Sequence, residues 1–178
     1  MKVFNAPDSL IDAPKYKGIF LAGSIELGEA ENWQQEAIRL LEEKFEPKAV
    51  TSTSVLFGWG TNKKYCVFNP RRVQWVGAKE STIDNVDFYR QVKWELDAME
   101  RAEFIILNFC GNTRSPISLL ELGLHANKPN GISFNQKLHV ICPDNFWRKG
   151  NVDIVCEHYK IPQHKNLTEA IEKMFNYG

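Results

Sequence analysis

Two glutamates on neighbouring predicted helices have the type and surroundings that catalysis needs. Glu121 lies in a segment, Ile117 to Ala126, that is otherwise apolar apart from Ser118 and His125. A carboxylate there must point to solvent, a partner or a substrate, because burying it alone is costly. We expect the positive end of the helix dipole to favour the ionised form of Glu121, which attack on an anomeric carbon requires. An ordinary surface glutamate is the alternative.

Glu95, on the preceding predicted helix, is the candidate for a second carboxylate. A retaining glycosyl-transfer mechanism uses two carboxyl groups, one as nucleophile and one as acid and base or as a partner of a sugar hydroxyl. Glu95 follows Trp94 on a helix that ends just before the most apolar strand of the chain. The alternative is a solvated helix charge that pairs with Lys93 or Arg101.

Other residues could hold the anionic or polar end of a ligand. Ser115 is a good N-cap and Pro116 suits the first helical position, so a helix is predicted to begin here. The free N–H groups of that helix and the Ser115 hydroxyl could hold a phosphate, and plain helix capping is the alternative. Arg71 and Arg72 form a compact basic pair that could clamp a phosphate, a carboxylate or a base edge, or form only a structural salt bridge.

The elements that must position these residues alternate along the chain. Apolar runs at 18–24, 65–69, 104–109 and 138–142 predict strands, and segments with helical periodicity at 29–44, 86–101, 116–127 and 166–177 predict helices. This order predicts a single domain over residues 1–178 with an α/β fold. We expect a doubly wound, mostly parallel sheet of about five strands with helices on both faces, of Rossmann or flavodoxin type.

The carboxyl ends of the predicted strands indicate where a ligand should bind, because open parallel sheets bind ligands at that edge. Three groups of residues follow strands and are therefore the candidate substrate-binding residues. They are Gly23, Ser24 and Ile25 after the first strand, Asn69, Arg71 and Arg72 after the second, and Ser115 and Pro116 after the third.

Residues 49–64 differ in composition from their surroundings. Thr, Ser, Gly and Asn dominate this stretch, with Phe57 and Trp59 near its middle. We expect an excursion or hairpin inserted between two core elements. Long loops in compact domains are often functional lids, and a structural flap without ligand contact is the alternative.

Composition and charge exclude several classes of protein. The 178 residues carry 22 Lys and Arg against 22 Asp and Glu, so the formal net charge is zero. Because nucleic-acid binders usually carry a basic surplus, no nucleic-acid polymer is expected as a partner. The first 14 residues lack the pattern of a signal peptide, and no apolar run approaches the length of a membrane span. We expect a cytoplasmic protein.

Cofactor signals are also missing from the sequence. The four cysteines, Cys66, Cys110, Cys142 and Cys156, form no CxxC pair and are expected to be reduced, mostly buried thiols. The histidines show no zinc spacing with them. The Rossmann GxGxxG and Walker GxxxxGK[ST] patterns do not occur. No metal and no other cofactor is therefore expected.

Four segments in chain order resemble one known group of proteins. They are FLAGSI at 20–25, NPRR at 69–72, the stretch from Gln91 to Glu103, and SPISLLELG at 115–123. Together they are similar to the nucleoside 2-deoxyribosyltransferase-like group, whose members include the true transferases and the deoxynucleoside- and cytidine-monophosphate N-glycosidases. The spaced pair of a serine and a later Glu-Leu-Gly is fairly specific, and the Gly-Ser turn alone is weak.

The resemblance implies a role for several residues. Glu121 matches the catalytic glutamate that forms a covalent glycosyl intermediate, and Glu95 falls where an aspartate usually contacts the sugar and assists the leaving base. Ser115 matches the serine that binds a 5′-phosphate in the monophosphate hydrolases, where the transferases tend to have an aspartate. Gly23 to Ile25 match the nucleotide-facing first loop. The chain departs from the pattern at Phe20, where a tyrosine is often found, and in the extra methylene of Glu95.

The resemblance thus implies an enzyme that cleaves the N-glycosidic bond of a (deoxy)nucleoside or its 5′-monophosphate and passes the sugar to water or a second base. Its expected partners are a small-molecule substrate and further copies of itself, as a homodimer or higher homo-oligomer, with no membrane involved. Two other classes stay open: a non-catalytic nucleotide-binding or sensor module on the same fold, and an NAD-type glycohydrolase.

Overall fold

The structure is a computed structural model that describes residues 1–26, 30–45, 64–72, 81–127 and 137–175. The insertion predicted at 49–64 lies outside the described residues except for Lys64. The expected start of the first helix, at Glu29, lies outside them as well.

Strands and helices alternate along the described chain, as the sequence pattern predicts. The strands are β1 (Lys2–Asn5), β2 (Lys17–Gly23), β3 (Tyr65–Asn69), β4 (Ala102–Asn108), β5 (Leu138–Ile141) and β6 (Gln163–His164). The helices are α1 (Trp33–Phe45), α2 (Val86–Arg101), α3 (Pro116–His125), α4 (Lys149–Tyr159) and α5 (Leu167–Met174), and a 3-10 turn covers Ala13–Lys15. No helix within these ranges is long and apolar enough to cross a membrane.

The described strands form one parallel sheet in the order β1-β3-β2-β4-β5-β6. This confirms the predicted doubly wound α/β fold, and without β1 the order is that of flavodoxin-type sheets. The sheet has six described strands where about five were expected. The edge strands β1 and β6 have four and two residues, which is too short for a readable periodicity. Helix α4 was also not predicted. Its exposed Ile154 interrupts the helical spacing of apolar residues that would have indicated a buried face.

The central strands β2 and β4 explain why helices cover both faces of the sheet. They pair in register, with Phe20 opposite Ile105 and Leu21 opposite Ile106, and successive side chains point to opposite faces. Phe20 and Ile105 belong to a core shared with residues of α2, α3 and α4, whereas Leu21 and Ile106 belong to a second core shared with α1 and α5. Both strands are apolar on both faces because both faces are buried.

Gly23 ends β2 at the point where the strand order reverses, between β2 and β4. Its φ is +134°, a conformation that side chains with a Cβ rarely adopt. A Cβ there would also collide with the backbone oxygen of Asn108 at the end of β4. The next residue, Ser24, donates its backbone N–H to that same oxygen at 2.9 Å. The close approach of the two strand ends therefore requires a glycine at position 23.

The Gly23→Ala variant should lose about 3 kcal/mol or more of unfolding free energy, because it combines a strained φ with a backbone collision. Denaturant unfolding followed by circular dichroism measures this loss. Gly150→Ala is the matched control, because open space surrounds Gly150 in α4, and it should be neutral or slightly stabilising. Equal stability of the two variants would contradict the close packing of the β2 and β4 ends.

Candidate active site

A cavity of about 450 Å³ opens at the carboxyl ends of β2 and β3, between helices α2 and α3. Its wall combines the loop after β2, the loop after β3, one face of α2 and the first turns of α3. The described lining residues are Ala22, Gly23, Ile25, Glu26, Pro70, Arg71, Arg72, Phe88, Gln91, Val92, Glu95, Leu96, Met99, Ser115, Pro116, Ile117, Ser118, Leu120, Glu121 and Leu124. The cavity lies beside the switch point of the sheet, where ligands of open α/β folds bind.

Most of the residues singled out in the sequence meet in this cavity. Its wall contains Glu121, Glu95, Gly23, Ile25, Arg71, Arg72, Ser115 and Pro116. Two others do not line it. The Ser24 hydroxyl is buried among protein groups, and the side-chain amide of Asn69 bonds Asn5 Oδ1 and accepts from the Arg71 N–H. The side chains of Ser24 and Asn69 bond to other protein groups.

Glu121 is buried, with 8% of its surface exposed, and faces the cavity from the second turn of α3. Burial raises the pKa of its carboxyl to about 8, and the negative charge of Glu95 adds to the rise. The expectation that the helix dipole would favour the ionised form was wrong, because the pKa of Glu121 is raised rather than lowered. The dipole acts mainly within the first turn, and removal of the carboxyl from water outweighs it.

Glu95 faces the same cavity from α2 and is held in place by Gln91, one helical turn before it. The Gln91 amide donates to Glu95 Oε1 at 2.7 Å and to the backbone oxygen of Pro70 at 3.0 Å. Burial raises the pKa of Glu95, against the hydrogen bond from Gln91 and the positive charge of Arg72. Lys93, a suggested partner of Glu95 if it were a surface charge, instead bonds Asp97 at 2.6 Å.

Three hydroxyl groups form a closed cluster behind the N-terminus of α3. Ser24 Oγ lies 2.8 Å from Thr113 Oγ1 and 2.6 Å from Ser115 Oγ, and the last two are 2.8 Å apart. The Cys110 N–H donates to Ser24 Oγ, and the Thr113 hydroxyl donates to the Cys110 oxygen. Ser115 is the N-cap of α3 as predicted, but its side chain makes no capping hydrogen bond.

Glu26 binds the backbone that precedes α3. Its Oε1 accepts from the Ser115 N–H at 2.7 Å, and its Oε2 accepts from the Arg114 N–H at 3.1 Å. Ser115 itself adopts a left-handed conformation, with φ 44° and ψ 52°. A protein carboxylate thus occupies the two backbone donors that immediately precede the helix N-terminus at which a phosphate was expected.

The two arginines have different surroundings. The Arg71 guanidinium donates to the backbone oxygens of Glu31 and Ala30 and to Gln34 Oε1, which ties the loop after β3 to the start of α1. Burial raises the pKa of the Glu95 carboxyl, and the positive charge of Arg72 partly offsets that rise. The structure therefore gives Arg71 an anchoring contact and places the Arg72 charge near Glu95.

Several lining residues were missed in the sequence, although two carried a usable signal. Gln91 precedes Glu95 by four residues and Ser118 precedes Glu121 by three, spacings that place both pairs on one helical face. Helix α2 also contributes an apolar part of the wall, formed by Phe88, Val92, Leu96 and Met99. In the sequence, their helical spacing indicated only a helix face that packs against the core. Glu26 carried no signal, since its contacts with the backbone of Arg114 and Ser115 join loops far apart in the chain.

Metal ligation finds no support among the described residues, which contain no group of three or more His, Cys, Asp or Glu side chains that could hold an ion. The buried pair His139 and His164, with ring nitrogens 3.0 Å apart, lies on β5 and β6 outside the cavity wall. The polar side chains of the cavity wall are its carboxylates, hydroxyls and arginines and the Gln91 amide.

The fold and the cavity define a doubly wound α/β protein with a small-molecule site that holds two interacting carboxyl groups. The sequence model of the nucleoside 2-deoxyribosyltransferase-like family matches residues 16–146, more than half of the chain, and the chain belongs to that family. A search of curated proteins found no match. Membership indicates a nucleoside deoxyribosyltransferase-like function with a small-molecule nucleoside substrate.

The Glu121→Gln variant should be more stable than the wild type at pH 8, by about 4 kcal/mol. The folded state holds the Glu121 proton between the ordinary pKa of 4.5 and about 8, whereas the unfolded state releases it. The stability contributed by this group therefore falls as the pH rises through that window, and glutamine removes the dependence. Denaturant unfolding at pH 5 to 8.5 measures the difference, which should shrink toward pH 5.

Glu157→Gln on α4 is the matched control, because Glu157 is an exposed carboxylate outside the cavity wall, and its stability difference should stay flat with pH. A Glu121→Gln variant that is less stable than wild type at pH 8 would mean that the carboxylate is ionised and stabilised by a partner, which contradicts a pKa raised by burial.

Proposed function

We propose that the protein cleaves the N-glycosidic bond of a (deoxy)nucleoside or its 5′-monophosphate through a covalent glycosyl–Glu121 intermediate, and passes the sugar to water or to a second base. The observation that carries this proposal is the pair of carboxyl groups, Glu121 and Glu95, that face one cavity and interact electrostatically. Two carboxyl groups with separate roles are what double displacement at an anomeric carbon uses.

In the first step, a carboxylate oxygen of Glu121 forms a bond to the anomeric carbon while the bond from that carbon to the base nitrogen breaks. The bonding electron pair leaves with the base, which takes up a proton. Glu95 orients the sugar and supports that proton transfer, because burial raises its pKa and keeps a proton available nearer neutral pH. In the second step, water or a second base attacks the same carbon and releases Glu121.

The raised pKa of Glu121 sets the pH dependence of this mechanism. The nucleophile must be ionised, and in the free enzyme the ionised fraction increases about tenfold per pH unit until the pH reaches about 8. kcat/KM should follow that rise. The negative charge of Glu95 contributes to the raised pKa of Glu121. The Glu95→Gln variant should therefore reach its maximal kcat/KM at a lower pH than wild type.

The rest of the wall offers a place for each part of the substrate. The apolar face of α2, with Phe88, Val92 and Met99, can pack against a planar base. Gly23 lets the backbone at the end of β2 approach the ligand closely, because it carries no side chain. Ser115 and Arg72 lie in the same wall and are proposed to face the 5′ end of the sugar.

Base release is the activity to measure. Purified protein is incubated with deoxy- and ribonucleosides, their 5′-monophosphates and NAD, with and without a second free base, and free base is followed by chromatography. Wild type should release base from members of the nucleoside or monophosphate series. Glu121→Gln should lower kcat by about three orders of magnitude or more, because it removes the nucleophile without changing its shape.

Glu157→Gln is the control and should match wild type, since Glu157 is exposed on α4. Release without an added base indicates an N-glycosidase, and release only with a second base indicates a transferase. Wild-type rates in Glu121→Gln would contradict the mechanism. Tight binding without turnover on any substrate would support a nucleotide-binding module, and release from NAD alone would support a glycohydrolase.

We also propose that the protein is a homo-oligomer. Exposed apolar side chains follow one another at helical spacing on α3 (Ile117, Leu120 and Leu124), beside exposed Tyr89 and Leu96 on α2. These side chains do not belong to the two apolar cores, and those of α3 also border the cavity. Because the stripe carries no charge, it can pack against its own copy across a two-fold axis.

Leu120→Glu should convert the oligomer into a monomer, because it places a charge in the centre of the stripe. Sedimentation velocity of wild type and variant at the same concentrations measures this. Ile154→Glu is the matched control, since Ile154 is an exposed apolar residue on α4, and it should leave the oligomer intact. A monomeric wild type would contradict the proposal.

The state of the cysteines supports a reducing compartment, and we propose the cytoplasm. All four cysteines are free thiols. Burial raises the pKa of Cys66 and of Cys156 to about 12, so neither forms the reactive thiolate near neutral pH. These two thiols are structural residues of the core rather than redox groups.

A further inference from the structure

We propose that Glu26 determines which 5′ end the cavity accepts, and that the preferred substrate is a nucleoside with a free 5′-hydroxyl rather than its 5′-monophosphate. This inference rests on the proposed function, because it concerns the substrate of the same site. It assigns a specificity-determining role to a residue that the sequence pattern did not single out.

The backbone donors before α3 are already in use. Both oxygens of the Glu26 carboxylate accept hydrogen bonds, one from Ser115 N–H at 2.7 Å and one from Arg114 N–H at 3.1 Å. A phosphate at this place would have to displace a bidentate carboxylate and then lie next to its negative charge. Like charges at such short range repel strongly in a cavity with restricted access to water.

The nearby hydroxyl groups can satisfy one another without a ligand. The separations among Ser24, Thr113 and Ser115 allow a chain of donation that ends on a backbone oxygen of the protein. In that chain Ser24 donates to Ser115, Ser115 donates to Thr113, and Thr113 donates to the Cys110 oxygen. Since a serine or threonine hydroxyl carries one proton, the chain satisfies every donor of the cluster inside the protein.

The positive charges that a phosphate would need are also engaged. The Arg71 guanidinium is bonded to backbone oxygens of Glu31 and Ala30 and to Gln34. The Arg72 charge acts on Glu95. The carboxyl groups of Glu26, Glu95 and Glu121 thus line a cavity whose two arginines both interact with protein groups.

A 5′-hydroxyl suits this place, because Glu26 can accept its hydrogen bond. Each carboxylate oxygen has a further lone pair beside the one that the backbone N–H uses. Ser115, the N-cap of α3, lies about 9 Å along the helix axis from Glu121, six residues away. The side chain of Glu121 and the pentose together can span that length, so a sugar held at its anomeric carbon can present its 5′ end to Glu26.

The test compares kcat/KM for one nucleoside with kcat/KM for its own 5′-monophosphate. Wild type should prefer the nucleoside at least tenfold. Glu26→Ala should reduce that preference at least tenfold, because it removes the charge and frees two backbone donors. Glu26→Gln should give a smaller reduction, since it removes the charge and keeps one acceptor oxygen. Glu157→Gln should leave the ratio unchanged.

Calorimetry measures the binding of the nucleoside and of its 5′-monophosphate to the Glu121→Gln variant, which does not cleave them. The preference between the two ligands is therefore measured even if wild type releases no base. A preference of wild type for the monophosphate would overturn the inference and leave the proposed function standing. An unchanged ratio in both Glu26 variants would also overturn it. Absence of base release from either substrate, with selective nucleoside binding, would instead count against the proposed function alone.

Discussion

The burial of Glu121 within reach of the Glu95 charge is the interaction on which the rest of the site depends. Two carboxyl groups in one cavity cannot both ionise cheaply, so at least one holds its proton near neutral pH. That constraint turns two similar side chains into groups with different protonation behaviour. Burial raises the pKa of both groups, and at Glu95 the hydrogen bond from Gln91 and the charge of Arg72 oppose that rise.

The scaffold tolerates this costly pair because its stability comes from elsewhere. Two apolar cores, one on each face of the sheet, hold β2 and β4 together, and the site lies at their carboxyl ends rather than inside either core. Gly23 lets those two strand ends approach. Helix α3 begins at Pro116 and carries Glu121 in its second turn, and α2 brings Gln91 and Glu95 to the opposite wall. Rigid elements, not loops alone, therefore position both carboxyl groups.

Much of the fold and part of the site could be predicted from the sequence. The apolar runs of β2 and β4 and the helical periodicity of α2 are strong local signals, and the rule that ligands bind at strand ends brought Glu121, Glu95 and Ser115 together. The contact of Glu26 with the backbone of Ser115 could not be predicted, because it joins residues 89 positions apart. The pKa of Glu121 was misjudged for the same reason, since burial depends on how α2 and α3 pack.

The most direct measurement of the covalent mechanism is the mass of the Glu121 peptide after reaction. A 2′-fluoro nucleoside suits this purpose, because fluorine withdraws electrons from the anomeric centre and slows release of the sugar. The protein is quenched with acid, digested and mapped by mass spectrometry. Attack by Glu121 predicts one sugar on the peptide that contains this residue and none in the Glu121→Gln variant. A sugar attached to another residue, or base release with inverted anomeric configuration and no adduct, would contradict it.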